Sequence, residues 1–151
     1  MTLPMPALEH VADIRVDVSE PLDAGDVFGL MTRGRRRLIP IVGGSVSGPH
    51  FSGTLLPGGA DFQMTVSPTC SDVDARYIMR LNSPGLEGQH VYVENVALRR
   101  AGATDLDAPY LRFVARFEVS CAELQWLTES IFIGTGAKVA DHILLSVFRV
   151  T

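Results

Sequence analysis

Little in this chain points to a polyanionic partner, a metal or a cofactor. Positive charge is in deficit: 13 Lys and Arg stand against 17 Asp and Glu, a formal net charge of -4. Phosphate binding needs a concentrated basic surface, so no nucleic-acid partner is expected. The one basic run, Arg33-Gly34-Arg35-Arg36-Arg37, reads as a solvated loop or strand edge. Cysteine is scarce, and Cys70 and Cys121 share no motif spacing, which predicts reduced thiols in a cytosolic chain. The opening Met1-Thr2-Leu3-Pro4-Met5-Pro6 lacks the basic head and apolar run of a secretory signal. No segment approaches the roughly 18 apolar residues of a bilayer-spanning helix, and paired aromatic girdles of a membrane barrel are missing. A cytoplasmic protein with no membrane partner is expected. His10, His50, His90 and His142 are scattered, with no Cys or carboxylate at ligand spacing, so no metal is expected. Neither cysteine has a histidine nearby, and no Gly-x-Ser-x-Gly elbow is present. Gly134-Thr135-Gly136 lacks the lysine of a phosphate loop and reads as a bulge between strands. No cofactor is expected.

What the chain does have is two-residue periodicity, the signature of strands with two unlike faces. Ile14, Val16 and Val18 alternate with Arg15 and Asp17. Leu38–Val42 is apolar but carries Pro40, which places it at an edge or bulge. Phe51–Leu56 runs into the breaker Pro57-Gly58-Gly59, followed by Asp61–Val66 with Asp61, Gln63 and Thr65 on one face. The clearest strand, Asp72–Leu81, puts Val73, Ala75, Tyr77, Met79 and Leu81 opposite Asp72, Asp74, Arg76, Ile78 and Arg80. Val91–Leu98, Leu111–Val119 and Ile143–Val150 continue the pattern. Two stretches read otherwise: Glu9–Ile14 as a turn, and Ser120–Leu127 as a short helix capped by Ser120 with Glu123 three residues on.

With 151 residues, 46% hydrophobic and 20% charged, the chain fits one domain with a substantial core. No repeat, linker or boundary interrupts it, and residues 1–10 read as an irregular arm. The fold class is all-β: an antiparallel β-barrel of about eight to ten strands with one short helix. A barrel is preferred to a sandwich because the polar strand faces mix carboxylates, guanidiniums and amides with apolar Ile78 and Val114, in a chain with few lysines. That mixture suits a partly polar interior able to hold one small ligand.

Over most of its length the chain also resembles a known family. The matching segments include Gly34-Arg35-Arg36-Arg37-Leu38-Ile39-Pro40-Ile41, Gly43-Gly44, and above all Leu56-Pro57-Gly58-Gly59-Ala60-Asp61-Phe62-Gln63. Asp74-Ala75-Arg76-Tyr77, Tyr92-Val93-Glu94-Asn95, Tyr110-Leu111-Arg112 and Arg116-Phe117-Glu118 follow. Phe132-Ile133-Gly134-Thr135-Gly136 and Val147-Phe148-Arg149-Val150 complete the set. In these it is similar to a bacterial and fungal family described only as a domain of unknown function, family 3237. The resemblance implies a small β-barrel that pairs as a homodimer, and no family-wide activity. The chain departs from the family at Phe62, usually Trp, and at Ala97, usually Gly. Leu81-Asn82-Ser83-Pro84-Gly85-Leu86 also replaces a tighter Asp-Gly turn, which leaves room for a different ligand.

Asp61 is the first candidate catalytic residue. A carboxylate behind a Gly-Gly pair, in apolar surroundings, gains a raised pKa suited to proton transfer, with Gln63 orienting a ligand oxygen. Its structural alternative is an Asp that braces the neighbouring turn. Arg76 is the second, offering two-pronged donors to developing negative charge, with Asp74 beside it on the same face. As structure, Asp74 and Arg76 would instead join Arg116 and Glu118 in a cross-strand ion-pair lattice. Asn95, Tyr92, Arg112, Arg116 and Glu118 are further candidates for ligand binding, whereas Tyr77 lies on the apolar face and reads as core.

Three functions fit. One is a cofactor-independent proton-transfer enzyme (isomerase, lyase, hydratase or cyclase) acting on a small carbonyl or enol compound. The second is a barrel that binds a small ligand without converting it. The third is a dimeric structural protein with a filled core.

Overall fold

Strand follows strand in the computed structural model, which describes residues 1–104 and 107–151. In order these are β1 (Leu8–Val18), β2 (Leu22–Phe28), β3 (Arg33–Ser47), β4 (Ser52–Leu55), β5 (Gly59–Thr65), β6 (Cys70–Leu81), β7 (His90–Arg100), β8 (Tyr110–Val119), β9 (Phe132–Val139) and β10 (His142–Val150). A 3-10 helix, Ala122–Thr128, lies between β8 and β9. All the pairings are antiparallel, and β1 closes the circle by pairing β10 on one side and β3 on the other.

The result is an eight-stranded barrel with two extra strands, because two positions in the ring are each filled by two segments. β4 and β5 both lie between β3 and β6, as one strand broken at Leu56-Pro57-Gly58, where Gly58 takes a φ of +108°. β1 and β2 follow one another along β3 in the same way. Pro40 sits where β1 gives out and β2 has not begun. Its missing N–H therefore interrupts no ladder on that side, and its carbonyl accepts from the Ser19 amide at 3.1 Å.

Strand alternation sends the apolar face inward. Val73, Ala75, Tyr77, Met79 and Leu81 of β6, and Val91, Val93 and Asn95 of β7, turn to the interior, as do Phe113, Ala115 and Phe117 of β8. One end of the barrel is filled. Leu124 and Leu127 of the 3-10 helix insert there against a core that includes Met79, Leu81 and Phe132. Phe117 and Phe132 meet edge to face at 5.1 Å. At the other end β1 stops, β2 pairs the start of β3, and the β5–β6 and β9–β10 turns lie.

Three local expectations are corrected. Glu9–Ile14 is part of β1 rather than a turn, and strand begins at Leu8, inside the expected arm, because the Ala7 and Thr151 backbones already pair. Ser120 does not cap the helix; its Oγ accepts from the His90 amide at 2.8 Å and donates to Gln89 at 2.7 Å. Gly134-Thr135-Gly136 is not a bulge. It runs in register within β9, where a side chain at Gly134 would overlap the Phe113 ring.

Candidate functional site in the unfilled half of the barrel

The ladder register explains why the second half of the barrel keeps a small cavity. One interior row runs Asp61, Ala75, Asn95, Ala115, and the next runs Val73, Ala97, Phe113, Gly134. Small residues alternate with larger ones, so neighbouring strands project too little side chain to meet across the barrel. The remaining space is a cavity of about 50 Å³. Its wall is apolar: Val16, Val18, Ile41, Val73, Ala75, Ala97, Leu111, Phe113, Ile143 and Leu145, with Asp61, Tyr77 and Asn95 the polar exceptions.

Those three side chains are almost sealed from solvent, at 3%, 2% and 4% exposure. Asn95 Nδ2 donates to the Tyr77 hydroxyl at 3.0 Å, and Gln63 Nε2 donates to Asp61 Oδ2 at 2.9 Å. Asp61 Oδ1 and Asn95 Oδ1 are left without a partner. A buried oxygen that makes no hydrogen bond carries a desolvation cost of about 1–3 kcal/mol, so two of them on one cavity wall call for an explanation. Burial pushes the Asp61 carboxyl up to about 6, against smaller downward pulls from Gln63, the Asp74 backbone and the more distant Arg37 charge. Burial also raises the Tyr77 phenol, so it stays protonated at neutral pH.

The other candidates lie elsewhere. Arg76 faces outward, with Nε 3.2 Å from Asp74 Oδ1 and an Nη 3.4 Å from Glu94, and its guanidinium is held more basic chiefly by the Asp74 bond. Tyr92 donates to Glu94 at 3.1 Å in the same outer network. Arg112 lies over the Tyr110 ring at 4.8 Å and bonds the Leu111 carbonyl at 2.9 Å. Arg116 and Glu118 are exposed on the outer face of β8. The expectation that Asp74, Arg76, Tyr92, Arg112, Arg116 and Glu118 line the interior is therefore corrected. Each alternates with a large apolar neighbour, and burying Tyr77, Phe113 or Phe117 outweighs burying a guanidinium that can stay in water. Of the expected set, Asp61 and Asn95 line the cavity on either side of Ala75, and Gln63 bonds Asp61.

Tyr77 is the addition, since it reads as core from its face yet supplies the hydroxyl beside Asn95. Arg37 is also unforeseen; it pairs in register with Gln63, one step from Asp61. Gly59 permits the close approach of β5 to β6 behind Asp61, because a Cβ there would meet the Arg76 carbonyl. Among the described residues, no group of three or more His, Cys, Asp or Glu is placed to hold a metal ion.

Residues 6–150 match the family model described as a protein of unknown function, DUF3237. The chain belongs to this family. It is 34% identical over 158 residues to the UPF0311 protein RPA1785 of Rhodopseudomonas palustris, covering 96% of this chain and 98% of that one. The crystal structure of that conserved protein of unknown function superposes with a TM-score of 0.86 over 99% of this chain and all of the other. A UPF0311 protein of Clostridium acetobutylicum is 31% identical over 156 residues, covering 95% and 93% of the two chains. At 18% identity, a crystal structure described as an enzyme from Penicillium herquei shares the fold, with a TM-score of 0.73 over 100% and 99% of the chains. Among the described residues no helix is long and apolar enough to cross a membrane.

Proposed function

We propose that this protein binds a small, largely apolar molecule in the unfilled half of its barrel, contacting Asp61, Tyr77 and Asn95. The observation that carries the proposal is a cavity with an apolar wall and two buried oxygens lacking partners. Ligand sites have this make-up: mostly hydrocarbon for affinity, a few convergent polar groups for orientation. The filled-core alternative draws its support only from the helix-plugged end. Calorimetric titration of one-ring aromatic compounds into the protein and into Ala75→Leu tests the binding. Heat of binding is expected for the former and lost in the latter; equal binding to both places the ligand elsewhere.

A second reading, proton-transfer catalysis, is favoured by the Asp61 carboxyl, which ionises near neutral pH inside the cavity. In such a reaction Asp61 moves the proton, and Tyr77 and Asn95 hold the substrate oxygen. Arg76 has no part in it from the outer face. The Penicillium herquei protein's description as an enzyme agrees with this reading through the fold alone. Deuterium uptake from heavy water into an enolisable ketone, followed by NMR and abolished in Asp61→Asn, is the expected result. Uptake unchanged in that variant removes Asp61 as the base.

Homodimer formation belongs to the same proposal. It is supported by the family resemblance and by exposed Phe62, Val96 and Val114 in one row on the outer face. Light scattering at twice the 16.4 kDa chain mass is expected. A mass of one chain at micromolar concentration refutes it.

A further inference from the structure

We infer that the ligand is a neutral hydroxyl compound, an alcohol or phenol on a small hydrocarbon frame, which donates its proton to Asp61 Oδ1. This rests on the binding reading above and names the chemistry of that same site.

The cavity's unmet demand is for donors. Both unpartnered oxygens, Asp61 Oδ1 and Asn95 Oδ1, are acceptors; the side-chain amides of Gln63 and Asn95 are engaged with Asp61 Oδ2 and Tyr77, and the Asp74 backbone amide also bears on the Asp61 carboxyl. Asp61 is the firm anchor, because an ionised carboxylate oxygen can only accept. The Tyr77 oxygen accepts from Asn95 while its own proton remains free to donate. A hydroxyl group supplies the proton that Asp61 lacks. A methyl ether cannot donate, and a hydrocarbon leaves every polar atom as it was.

Charge excludes the other common classes. No arginine or lysine lines the cavity among the described residues, and the guanidiniums of Arg76, Arg112 and Arg116 are outside. A carboxylate or phosphate ligand would enter an apolar chamber and face Asp61, with Arg37, in register with Gln63 and outside the cavity lining, as its nearest counter-charge. An ammonium would find Asp61 but would give up its water for one carboxylate and hydrocarbon walls, with Asn95 set apart from Asp61 across Ala75. Asp61 and Asn95 stand on strands separated by β6, whose backbones are about 10 Å apart.

A matched panel decides it: phenol, toluene, anisole, benzoate and benzylamine, titrated at pH 7.5 and followed by amide NMR shifts. Phenol is expected to bind about tenfold more tightly than toluene or anisole, the scale of one buried hydrogen bond to a charged group, with benzoate showing no binding. Toluene or anisole matching phenol, or benzoate or benzylamine binding most tightly, overturns the hydroxyl inference while leaving a small-molecule cavity in place. No binding by any member overturns both. Asp61→Leu, checked for folding by its methyl spectrum, is expected to bring phenol and toluene within twofold of each other. A tenfold preference that survives this change overturns Asp61 as the recognising group.

Discussion

Replacing Asp61 by Asn removes a charge from the barrel interior while keeping side-chain shape and an acceptor for Gln63. In the folded chain the Asp61 carboxyl ionises near 6 rather than at its ordinary 3.8, because burial disfavours the charged form. The folded state therefore holds this proton more tightly than the unfolded state does. Below pH 4 the carboxyl is protonated in both states and costs nothing. Between about pH 4 and 6 the unfolded chain ionises while the folded chain holds its proton, so stability falls by about 3 kcal/mol in total and levels off above 6, where the folded protein carries a desolvated charge. Asp61→Asn escapes that cost, with Asp74 and Arg37 unchanged in both proteins. Urea unfolding at pH 4, 5, 6, 7 and 8 is the assay. The variant is expected to match the parent at pH 4 and exceed it by about 3 kcal/mol at pH 8, or roughly 6–12 °C in Tm. A difference that stays constant with pH, or a parent more stable at pH 8, refutes the picture of a desolvated carboxylate.

Three further outcomes follow from the packing. Gly134→Ala is expected to destabilise by about 1–3 kcal/mol in urea unfolding, because its methyl overlaps the Phe113 ring, with much of the loss recovered in Gly134→Ala/Phe113→Leu; no recovery in the double variant contradicts the contact. Leu127→Ala opens a hole at the plugged end and is expected to cost about 2–5 kcal/mol in the same assay, a smaller loss meaning that the helix is not an integral plug. Arg76→Ala is expected to cost less than about 1 kcal/mol and to leave ligand affinity within twofold, since its partners Asp74 and Glu94 lie on the outer surface. A tenfold affinity loss by calorimetry places Arg76 in the site after all.

The strands were legible because their alternation is strong: Val73 through Leu81 and Leu111 through Val119 declare two faces without any tertiary information. β2 was not, since Leu22-Asp23-Ala24-Gly25-Asp26-Val27-Phe28 has no clean alternation and its ladder shifts register between Asp23 and Gly25. Closure into a barrel is read from the mixed polar strand faces and from the family resemblance, and only the second ground holds, because those faces meet water. Which polar groups turn inward was the harder matter. Arginine and carboxylate at every second position look alike whether they line a chamber or meet water, and only the competing demand of Tyr77, Phe113 and Phe117 for burial decides. Asn95 was detectable as a polar residue on the face of Val91 and Val93, and Asp61 by its Gly-Gly approach. The hollow itself was written in alanines. Ala75 and Ala97 read as ordinary core, and the space they leave depends on their lying diagonally across the β6–β7 ladder, a property of register.

Methyl-resolved NMR with saturating phenol at pH 7.5 tests the central claim most directly, because the two halves of the barrel interior carry separate reporters. Shifts are expected at Val73, Ala75, Ala97, Leu111, Ile143 and Leu145, with Met79, Leu81, Leu124 and Leu127 at the plugged end unmoved. Saturable shifts confined to the outer-face Val96, Leu98 and Val114, or none at any methyl, would contradict an interior binding site.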